Sequence, residues 1–270
     1  MIPVCLTIAG SDCSAGAGMQ ADLKTAYALG CYALTAVTCV VSERPGHVGS
    51  VVPMEAAFVA EQVQECLAAF PVAAVKTGML YSADIVRAVA DALPTDIPLV
   101  VDPVMVATAG EQLMLSEAQA AYEQLLFPRA ILITPNLDEI MRLSRRVDPI
   151  LSLTELEQTA AQLAAGYHCA VLAKGGHLPG HTCADVLAQP DGSGRIWTHP
   201  RSEGISTHGT GCTLSAAIAA MLARGNDLES AVEHALQYTA RAIAASHQWA
   251  HSYALNHGAP GAPHSGKNWQ

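Results

Sequence analysis

The residues best suited to chemistry lie in one stretch, 207–215, which reads Thr-His-Gly-Thr-Gly-Cys-Thr-Leu-Ser. Its Gly-Thr-Gly segment (209–211) is short and flexible, and it directly precedes a helix predicted over residues 213–222. Backbone N–H groups at such a helix start have no helical partner, so they form a site for an anion such as phosphate. Cys212 lies at the mouth of this site, where the partial positive charge of the helix end favours its thiolate. The alternative is a tight loop with a small buried cysteine.

A second glycine-rich loop, residues 10–18, follows an apolar strand and opens a helix. Its spacing differs from G-x-G-x-x-G and it lacks the Gly-Lys-Ser/Thr of a P-loop, so neither type of nucleotide site is predicted. The small residues permit close approach of a ligand, with Asp12 and Asp22 nearby. Asp22 fits equally well as a first-turn carboxylate that the helix dipole stabilises.

Three further polar positions follow predicted buried strands. Asp102 is a candidate ligand for a metal-bound water, or a cap of the next turn. Asn136 and Glu139 lie three apart at a predicted helix start, so their oxygens face one way and suit Mg²⁺. The local pattern favours a plainer alternative, a capping box of these two residues. Lys174 precedes two glycines at a strand end, where a cation can hold phosphates during transfer.

The elements that position these residues are strand-like runs alternating with helical patterns, which predicts a largely parallel sheet covered on both faces. Ligands of such sheets bind beyond the carboxyl ends of the strands. The predicted strands are 3–9, 33–41, 73–76, 99–102, 130–134 and 169–174, with an antiparallel excursion over 184–187 and 195–199. The predicted helices are 20–29, 55–69, 83–92, 116–126, 153–165 and 213–246, the last broken near 225.

Composition narrows the class of protein. Of 270 residues, 51% are hydrophobic and 14% charged, which suits one large α/β domain, predicted over 1–255 with an irregular tail over 256–270. The formal charge of −10 argues against a nucleic-acid partner. Eight cysteines without a C-x-x-C pair indicate a reduced chain without a zinc site. No run is long enough for a membrane helix, so a cytoplasmic location is predicted.

In combination, these motifs resemble the hydroxymethylpyrimidine/phosphomethylpyrimidine kinases of thiamine biosynthesis, which belong to the ribokinase superfamily. The resemblance covers residues 4–243 and implies a three-layer α/β/α ribokinase-like fold with a mainly parallel sheet, assembled as a homodimer. It also implies ATP and Mg²⁺ as cofactors. The matching segments are Gly-Ser-Asp (10–12), Gly-Ala-Gly-Met-Gln-Ala-Asp-Leu-Lys-Thr (16–25), Lys-Thr-Gly-Met-Leu (76–80), Asp-Pro-Val-Met (102–105), Thr-Pro-Asn (134–136), Lys-Gly-Gly-His (174–177) and His-Gly-Thr-Gly-Cys-Thr-Leu-Ser (208–215).

The resemblance further implies roles for individual residues. An anion hole would surround the transferring phosphoryl group, and Cys212 would be the catalytic base; the hole comprises Gly209, Thr210, Gly211 and Cys212. Lys174 would contact the ATP phosphates, together with Thr210 and Asn136. The Mg²⁺ network would comprise Asp102, Asn136 and Glu139. The pyrimidine pocket would be lined by Gly10, Ala17, Asp22, Val41, Glu43, Met79 and Val106.

Two departures from the family pattern bear on the substrate. The usual Ala-Lys-Ser-Gly is Ala-Thr-Ala-Gly here (107–110), so Thr108 stands where a cation is expected and the second phosphorylation is in question. The usual Ala-Gln-Asn-Thr is Ser-Glu-Arg-Pro (42–45). An ionised Glu43 only accepts hydrogen bonds, whereas glutamine also donates. Alternatively, Glu43 turns outward to pair with Arg44 or water.

The sequence therefore predicts an ATP- and Mg²⁺-dependent kinase of an aminopyrimidine alcohol and of its monophosphate. A pyridoxal or pyridoxine kinase on the same fold is the main alternative, because both substrates are flat heteroaromatics with a hydroxymethyl group. A more remote alternative is a non-catalytic binding module, which substrate-dependent ATP turnover would exclude.

Overall fold

The computed structural model of the protein describes residues 1–105, 116–176, 178–179, 182–201, 208–250 and 252–258. Within them, nine strands form one sheet: β1 (Val4–Asp12), β2 (Tyr32–Arg44), β3 (His47–Pro53), β4 (Val72–Thr77), β5 (Leu99–Val101), β6 (Leu132–Ile133), β7 (Ala170–Lys174), β8 (Thr182–Ala188) and β9 (Gly194–Pro200). The strand order is β3-β2-β1-β4-β5-β6-β7-β8-β9. Pairing is parallel from β2 to β7, and β3, β8 and β9 join by antiparallel pairing at the edges. The predicted mainly parallel sheet is confirmed.

The helices cover both faces of this sheet. In chain order they are α1 (Gly18–Ala28), α2 (Ala56–Ala69), α3 (Ala83–Ala92), α4 (Ser116–Ala121), α5 (Leu137–Leu143), α6 (Leu153–Tyr167), α7 (Thr210–Ala223) and α8 (Leu228–Ala244). A π-helical turn (Tyr122–Leu126) and a 3-10 turn (Phe127–Arg129) continue α4, and β10 (His247–Trp249) pairs with β11 (Ser252–Ala254) apart from the main sheet. Among the described helices, none has both the length and the apolarity that crossing a bilayer requires.

Strand β1 shows how one strand serves two layers. Val4, Leu6 and Ile8 are buried in the core that α2, α3 and α6 share, whereas Cys5 is buried in the core of α1, α7 and α8. Successive side chains of a strand point to opposite faces, so one apolar run supplies both cores. Helix α7 lies deep in the second core, since every residue over 213–222 is buried. The expected three-layer α/β/α arrangement is confirmed.

The segment 42–46 lies beyond the strand predicted over 33–41, and the structure differs there. It extends β2 to Arg44 and then turns into β3, with Glu43 opposite Val48 in the register. Pro45 followed by Gly46, whose φ is +78°, suits a tight two-residue turn. Glu43 therefore lies on a strand, directly after a shift in the β2–β3 register between Val41 and Glu43.

The start of α7 also differs from the prediction. The helix begins at Thr210, three residues earlier than expected, because Gly209 is its N-cap with φ +80° and breaks the chain direction there. This turn touches the glycine-rich loop: a Cβ on Gly209 would lie 1.9 Å from the carbonyl oxygen of Gly16. The absence of a side chain at Gly209 thus permits the loop after β1 to contact the beginning of α7.

The last described residues are held against the second core. His257 is 6% exposed, its Nε2 lies 3.1 Å from Thr213 Oγ1, and its carbonyl accepts a hydrogen bond from Tyr238. Residues 259–270 of the predicted tail lie outside the described residues. The domain boundary at 255 stays a prediction.

We predict that Gly209→Ala destabilises the protein more than Gly225→Ala does. Both glycines have positive φ, but nothing lies within 4 Å of a Cβ at Gly225. Gly225→Ala therefore carries only the conformational cost, about 1–2 kcal/mol, and Gly209→Ala adds a backbone collision. Urea unfolding gives the free energy of unfolding of both variants. Equal losses would show that the α7 turn and the loop after β1 can move apart without cost.

Candidate active site

The candidate site lies where the carboxyl ends of the central strands meet the start of α7. A Cβ on Gly211 would lie 3.2 Å from Lys174 Nζ, at the end of β7, and 3.6 Å from Asp102 Oδ2, directly after β5. Ser215, one turn further along α7, donates to the same Asp102 oxygen at 3.2 Å. The structure thus brings together three of the predicted positions, which are far apart in sequence.

The beginning of α7 has the features of an anion site. The first helical hydrogen bond runs from Thr213 N–H to the Gly209 carbonyl at 2.9 Å, so residues 210–212 precede the regular bonding pattern. The first turn of α7, which the structure describes in full, holds no acidic side chain. Lys174 lies beside it, and the charge of Lys76 acts on Cys212 in the same turn. Cations and the helix end together favour a bound anion.

Asp102 connects Lys174 to two other elements. Its Oδ1 accepts from Lys174 Nζ at 3.3 Å and from Thr134 Oγ1 at 3.3 Å, and its Oδ2 accepts from Ser215. Burial disfavours the charged form of Lys174, but Asp102 and Glu139 outweigh it and raise the pKa of the lysine. Lys174 therefore carries its charge at neutral pH.

Asn136 and Glu139 form the capping box that the local sequence favours, so that interpretation is confirmed. Asn136 Oδ1 accepts from the Glu139 N–H at 3.0 Å, and Glu139 Oε2 accepts from the Asn136 N–H at 2.8 Å. Glu139 is 2% exposed, and burial raises its pKa to about 7, with Lys174 opposing and Asp102 adding to the shift. The three predicted Mg²⁺ ligands thus lie around one lysine, with Asn136 and Glu139 already engaged in capping.

A buried ion pair between Asp22 and Lys76 was not predicted. Lys76 Nζ lies 2.8 Å from Asp22 Oδ2, and both side chains are 2% exposed. Thr7 on β1 donates to the same oxygen. Asp22 is the fifth residue of α1, so its alternative interpretation as a first-turn carboxylate is wrong. The only feature of the sequence that points to this ion pair is Lys76, a lysine at the end of an otherwise apolar strand.

The expected thiolate character of Cys212 is wrong for the protein without ligands. Burial raises the pKa of the thiol to about 12; Lys76 and the Gly18 N–H oppose the shift, and the charges of Asp22 and Asp102 add to it. The helix terminus favours an anion, but desolvation beside two carboxylates outweighs that effect. The thiol is protonated at neutral pH.

An apolar cluster lies between β1, β2 and the segment that follows β4. Val41 and Met79 are buried there with Cys39. A Cβ on Gly10 would lie 2.8 Å from Cys39 Sγ and 3.9 Å from Met79 Sδ, so the backbone of Gly10 packs directly against this cluster. Three of the predicted pocket residues are thus neighbours. Val106, Thr108 and His177 lie outside the described residues.

The remaining pocket residues, Ala17 and Glu43, meet at a polar cluster that was not predicted. Asp12 Oδ2 accepts from the Ala17 N–H at 2.8 Å and lies 3.1 Å from His208 Nε2. A carboxylate oxygen of Glu43 lies within 4.8 Å of ligand atoms of both Asp12 and His208. The side chain of Glu43 therefore faces this cluster, and the alternative in which it turns outward to Arg44 is wrong.

Residues 12–257 match the phosphomethylpyrimidine kinase family. The chain belongs to this family. A hydroxymethylpyrimidine/phosphomethylpyrimidine kinase of Streptomyces coelicolor is 42% identical over 246 residues, which cover 90% of this chain and 89% of the relative. A relative from Schizosaccharomyces pombe is 41% identical over 90% of this chain, which spans only 47% of that relative's length.

Solved structures of kinases share the fold. An ADP complex of Bacillus subtilis pyridoxal kinase superimposes with a TM-score of 0.87 and 32% identity, covering 96% of this chain and 98% of that one. Phosphomethylpyrimidine kinase from Clostridium difficile gives a TM-score of 0.77 and 32% identity, covering 89% and 99% of the two chains. The phosphomethylpyrimidine kinase family is thus structurally close to pyridoxal kinases, so the fold does not select the substrate.

We predict that Lys76→Met destabilises the fold by about 3–5 kcal/mol at neutral pH, because Asp22 is left buried without a counter-charge. Burial already raises the pKa of Asp22 in the wild type, and without Lys76 it lies further above the unfolded value of about 3.9. The loss relative to the wild type should therefore be smallest near pH 4 and grow as pH rises. Urea unfolding at pH 5 and pH 8 measures this dependence.

The matched control for Lys76→Met is Arg87→Met, which breaks an ion pair with Asp84 on the exposed side of α3. An exposed pair contributes about 0–1 kcal/mol, so this variant should stay close to the wild type at both pH values. A loss in Lys76→Met as small as in this control would show that the buried pair contributes nothing to folding.

Proposed function

We propose that this protein transfers the γ-phosphoryl group of ATP to the hydroxymethyl group of 4-amino-5-hydroxymethyl-2-methylpyrimidine, and then a second one to the monophosphate, as in thiamine biosynthesis. One observation carries the proposal. In a chain of the phosphomethylpyrimidine kinase family, the start of α7 adjoins Lys174 and, through the Gly209 turn, the loop after β1. Phosphates at the start of α7 and a flat ring beside the loop after β1 account for this arrangement.

The anion hole in this proposal comprises Gly209, Thr210, Gly211 and Cys212. Phosphoryl transfer passes through a loose transition state whose charge lies on the equatorial oxygens, so N–H groups and cations around those oxygens lower the barrier. Lys174 supplies one cation, and with Thr210 and Asn136 it holds the ATP phosphates. Lys76 supplies a second cation beneath the helix.

Mg²⁺ is proposed at Asp102, Asn136 and Glu139, held through water. Two carboxylates and an amide oxygen are hard donors of the kind that Mg²⁺ binds, and both carboxylates act on Lys174. When bound, the ion neutralises charge on the β- and γ-phosphates. The capping hydrogen bonds of Asn136 and Glu139 fix the two side chains at this place.

In the pocket, we assign ring contacts to Gly10, Ala17, Val41, Glu43, Met79 and Val106. Asp22, predicted as a further ring contact, has both carboxylate oxygens within 3.0 Å of Lys76 Nζ. Its proposed role is therefore to hold that lysine beneath α7.

Cys212 is proposed as the catalytic base, and this role requires its thiolate. Because burial raises the pKa of the thiol, the thiolate is a minor form at neutral pH and its population rises tenfold per pH unit. Turnover at saturating substrate should therefore increase with pH through the neutral range. A carboxylate at this position would remove the dependence.

A vitamin B6 kinase is the second candidate, favoured by the similarity to the Bacillus subtilis pyridoxal kinase structure. Assembly as a homodimer is also proposed, on the family resemblance alone. Thr108 lies outside the described residues, so the second phosphorylation is proposed from family membership without a structural argument.

The proposal is tested by the mass of the products after incubation with ATP, Mg²⁺ and equal amounts of the aminopyrimidine alcohol and pyridoxal. We expect the pyrimidine mono- and diphosphate, with pyridoxal consumed more slowly. Cys212→Ala should lose about 10²–10⁴-fold in turnover but still bind the pyrimidine. Cys212→Asp should retain activity with a flatter pH profile.

Cys66→Ala is the control, because Cys66 is a half-buried cysteine of α2, a helix outside the proposed site. It should keep wild-type turnover. Preferential phosphorylation of pyridoxal would overturn the substrate assignment, and wild-type turnover in Cys212→Ala would remove this cysteine from the mechanism.

A further inference from the structure

Glu43 lies among titratable groups from three other parts of the fold. Asp12 approaches it from the end of β1 and His208 from the turn before α7, each within 4.8 Å between ligand atoms. Cys13 contacts its backbone, with Sγ 3.2 Å from the Glu43 carbonyl oxygen. The charge of Glu43 adds to the raised pKa of Cys39 on β2. Arg44 and His47 lie next to Glu43 at the turn of the β2–β3 hairpin.

Asp12 is a fixed negative charge in this cluster. Its carboxylate accepts hydrogen bonds from Ser14 N–H at 2.6 Å, Gly16 N–H at 3.0 Å and Ala17 N–H at 2.8 Å. Burial opposes its ionisation, but the hydrogen bonds from His208 and this loop lower its pKa to about 2. The hydrogen bond to Asp12 also raises the pKa of His208, so the two form an ion pair.

Beside this charge, the carboxyl of Glu43 ionises with difficulty. Burial raises its pKa to about 7, the charge of Asp12 adds to the shift and His208 opposes it. Glu43 thus exchanges a proton with solvent in the physiological range. From β2, this carboxyl reaches the cluster between the loop after β1 and the α7 turn.

The hydrogen-bonding capacity of a carboxyl depends on this proton. A neutral carboxylic acid offers one O–H donor and one carbonyl acceptor, which is the pattern of a glutamine amide. An aminopyrimidine edge offers the complement, an amino donor next to a ring-nitrogen acceptor. An ionised carboxylate fits only when the ring nitrogen is itself protonated, which then gives a charge-assisted bidentate pair. The two matched forms contain the same number of protons.

We infer that Glu43 recognises the amino and ring-nitrogen edge of the substrate by sharing one proton with it, so that binding takes up a proton from solvent whenever Glu43 is ionised beforehand. The inference rests on the proposed pyrimidine substrate. The proton in the complex lies between the carboxyl oxygen and the ring nitrogen, and no covalent bond is made or broken. Asp12 and His208 set how readily Glu43 holds this proton.

The proton shared between Glu43 and the ring predicts a specific class of ligand. A flat heteroaromatic alcohol with an amidine edge gains both hydrogen bonds together with the shared proton. A ring without an amino group next to the ring nitrogen leaves one buried oxygen of Glu43 unmatched, which disfavours its binding. Glutamate in place of glutamine at position 43 therefore makes the affinity for the substrate depend on pH. The hydrogen-bonding pattern that the substrate must present stays the same.

The test is calorimetric titration of the wild-type protein with 4-amino-5-hydroxymethyl-2-methylpyrimidine in two buffers of different ionisation enthalpy, from pH 6 to pH 9. The buffer dependence of the heat gives the number of protons taken up. We expect uptake to approach one proton per site at pH 8–9, and affinity to fall roughly tenfold per pH unit above pH 7. Glu43→Gln should bind with no uptake from this position and a nearly flat affinity.

Glu61→Gln is the matched control, since Glu61 is an exposed carboxylate on α2, and it should keep the wild-type proton uptake. The wild-type measurement decides by itself if Glu43→Gln does not fold. Binding without proton uptake at pH 8–9, or the same uptake in Glu43→Gln, would overturn the inference while leaving the kinase proposal intact. Absence of pyrimidine binding at every pH would overturn both.

Discussion

Two lysines beside the start of α7 each form an ion pair with a carboxylate of the protein, and the local structure depends on these pairs. Lys174 is held by Asp102, and Lys76 is held by Asp22. Each pair joins two different elements of the fold: β7 to the end of β5, and β4 to α1. Burying an ion costs several kcal/mol unless its partner is close and its hydrogen bonds are satisfied. The hydroxyls of Thr7 and Ser215 provide such bonds to the two carboxylates.

This arrangement keeps cations in a place where water cannot screen them well. In the proposed function, a phosphate at the start of α7 meets lysines that their carboxylate partners already orient, so little reorganisation accompanies its binding. Burial raises the pKa of the Cys212 thiol, and the charges of Asp22 and Asp102 add to the shift while Lys76 opposes it.

The turn at Gly209 brings the start of α7 into contact with the loop after β1. Because Gly209 permits backbone contact with Gly16, the loop that carries Asp12 and Ala17 is fixed relative to α7. The His208–Asp12 ion pair spans 196 residues of sequence and holds the same two segments together. In the proposed function, ring recognition and phosphate binding therefore involve the same two contacting segments.

Local features were predictable from the sequence. The alternation of strands and helices follows from apolar periodicity, and the Asn136–Glu139 capping box follows from four adjacent residues. The β2–β3 hairpin was not predicted, because Glu43, Arg44 and Pro45 give a polar, loop-like pattern. The pairs Asp22–Lys76 and Asp12–His208 were not predicted either, since they exist only once distant segments are packed. The pKa of Cys212 was misjudged for the same reason: the helix end is visible in the sequence, and the burial is not.

The most direct test of this account is a crystal structure of the protein with a non-hydrolysable ATP analogue and the aminopyrimidine alcohol. The account predicts the terminal phosphate within hydrogen-bonding distance of the N–H groups of Gly211 and Cys212, with Lys174 Nζ in contact. It also predicts the substrate hydroxyl between that phosphate and Cys212 Sγ. A terminal phosphate bound away from the start of α7 would contradict the account.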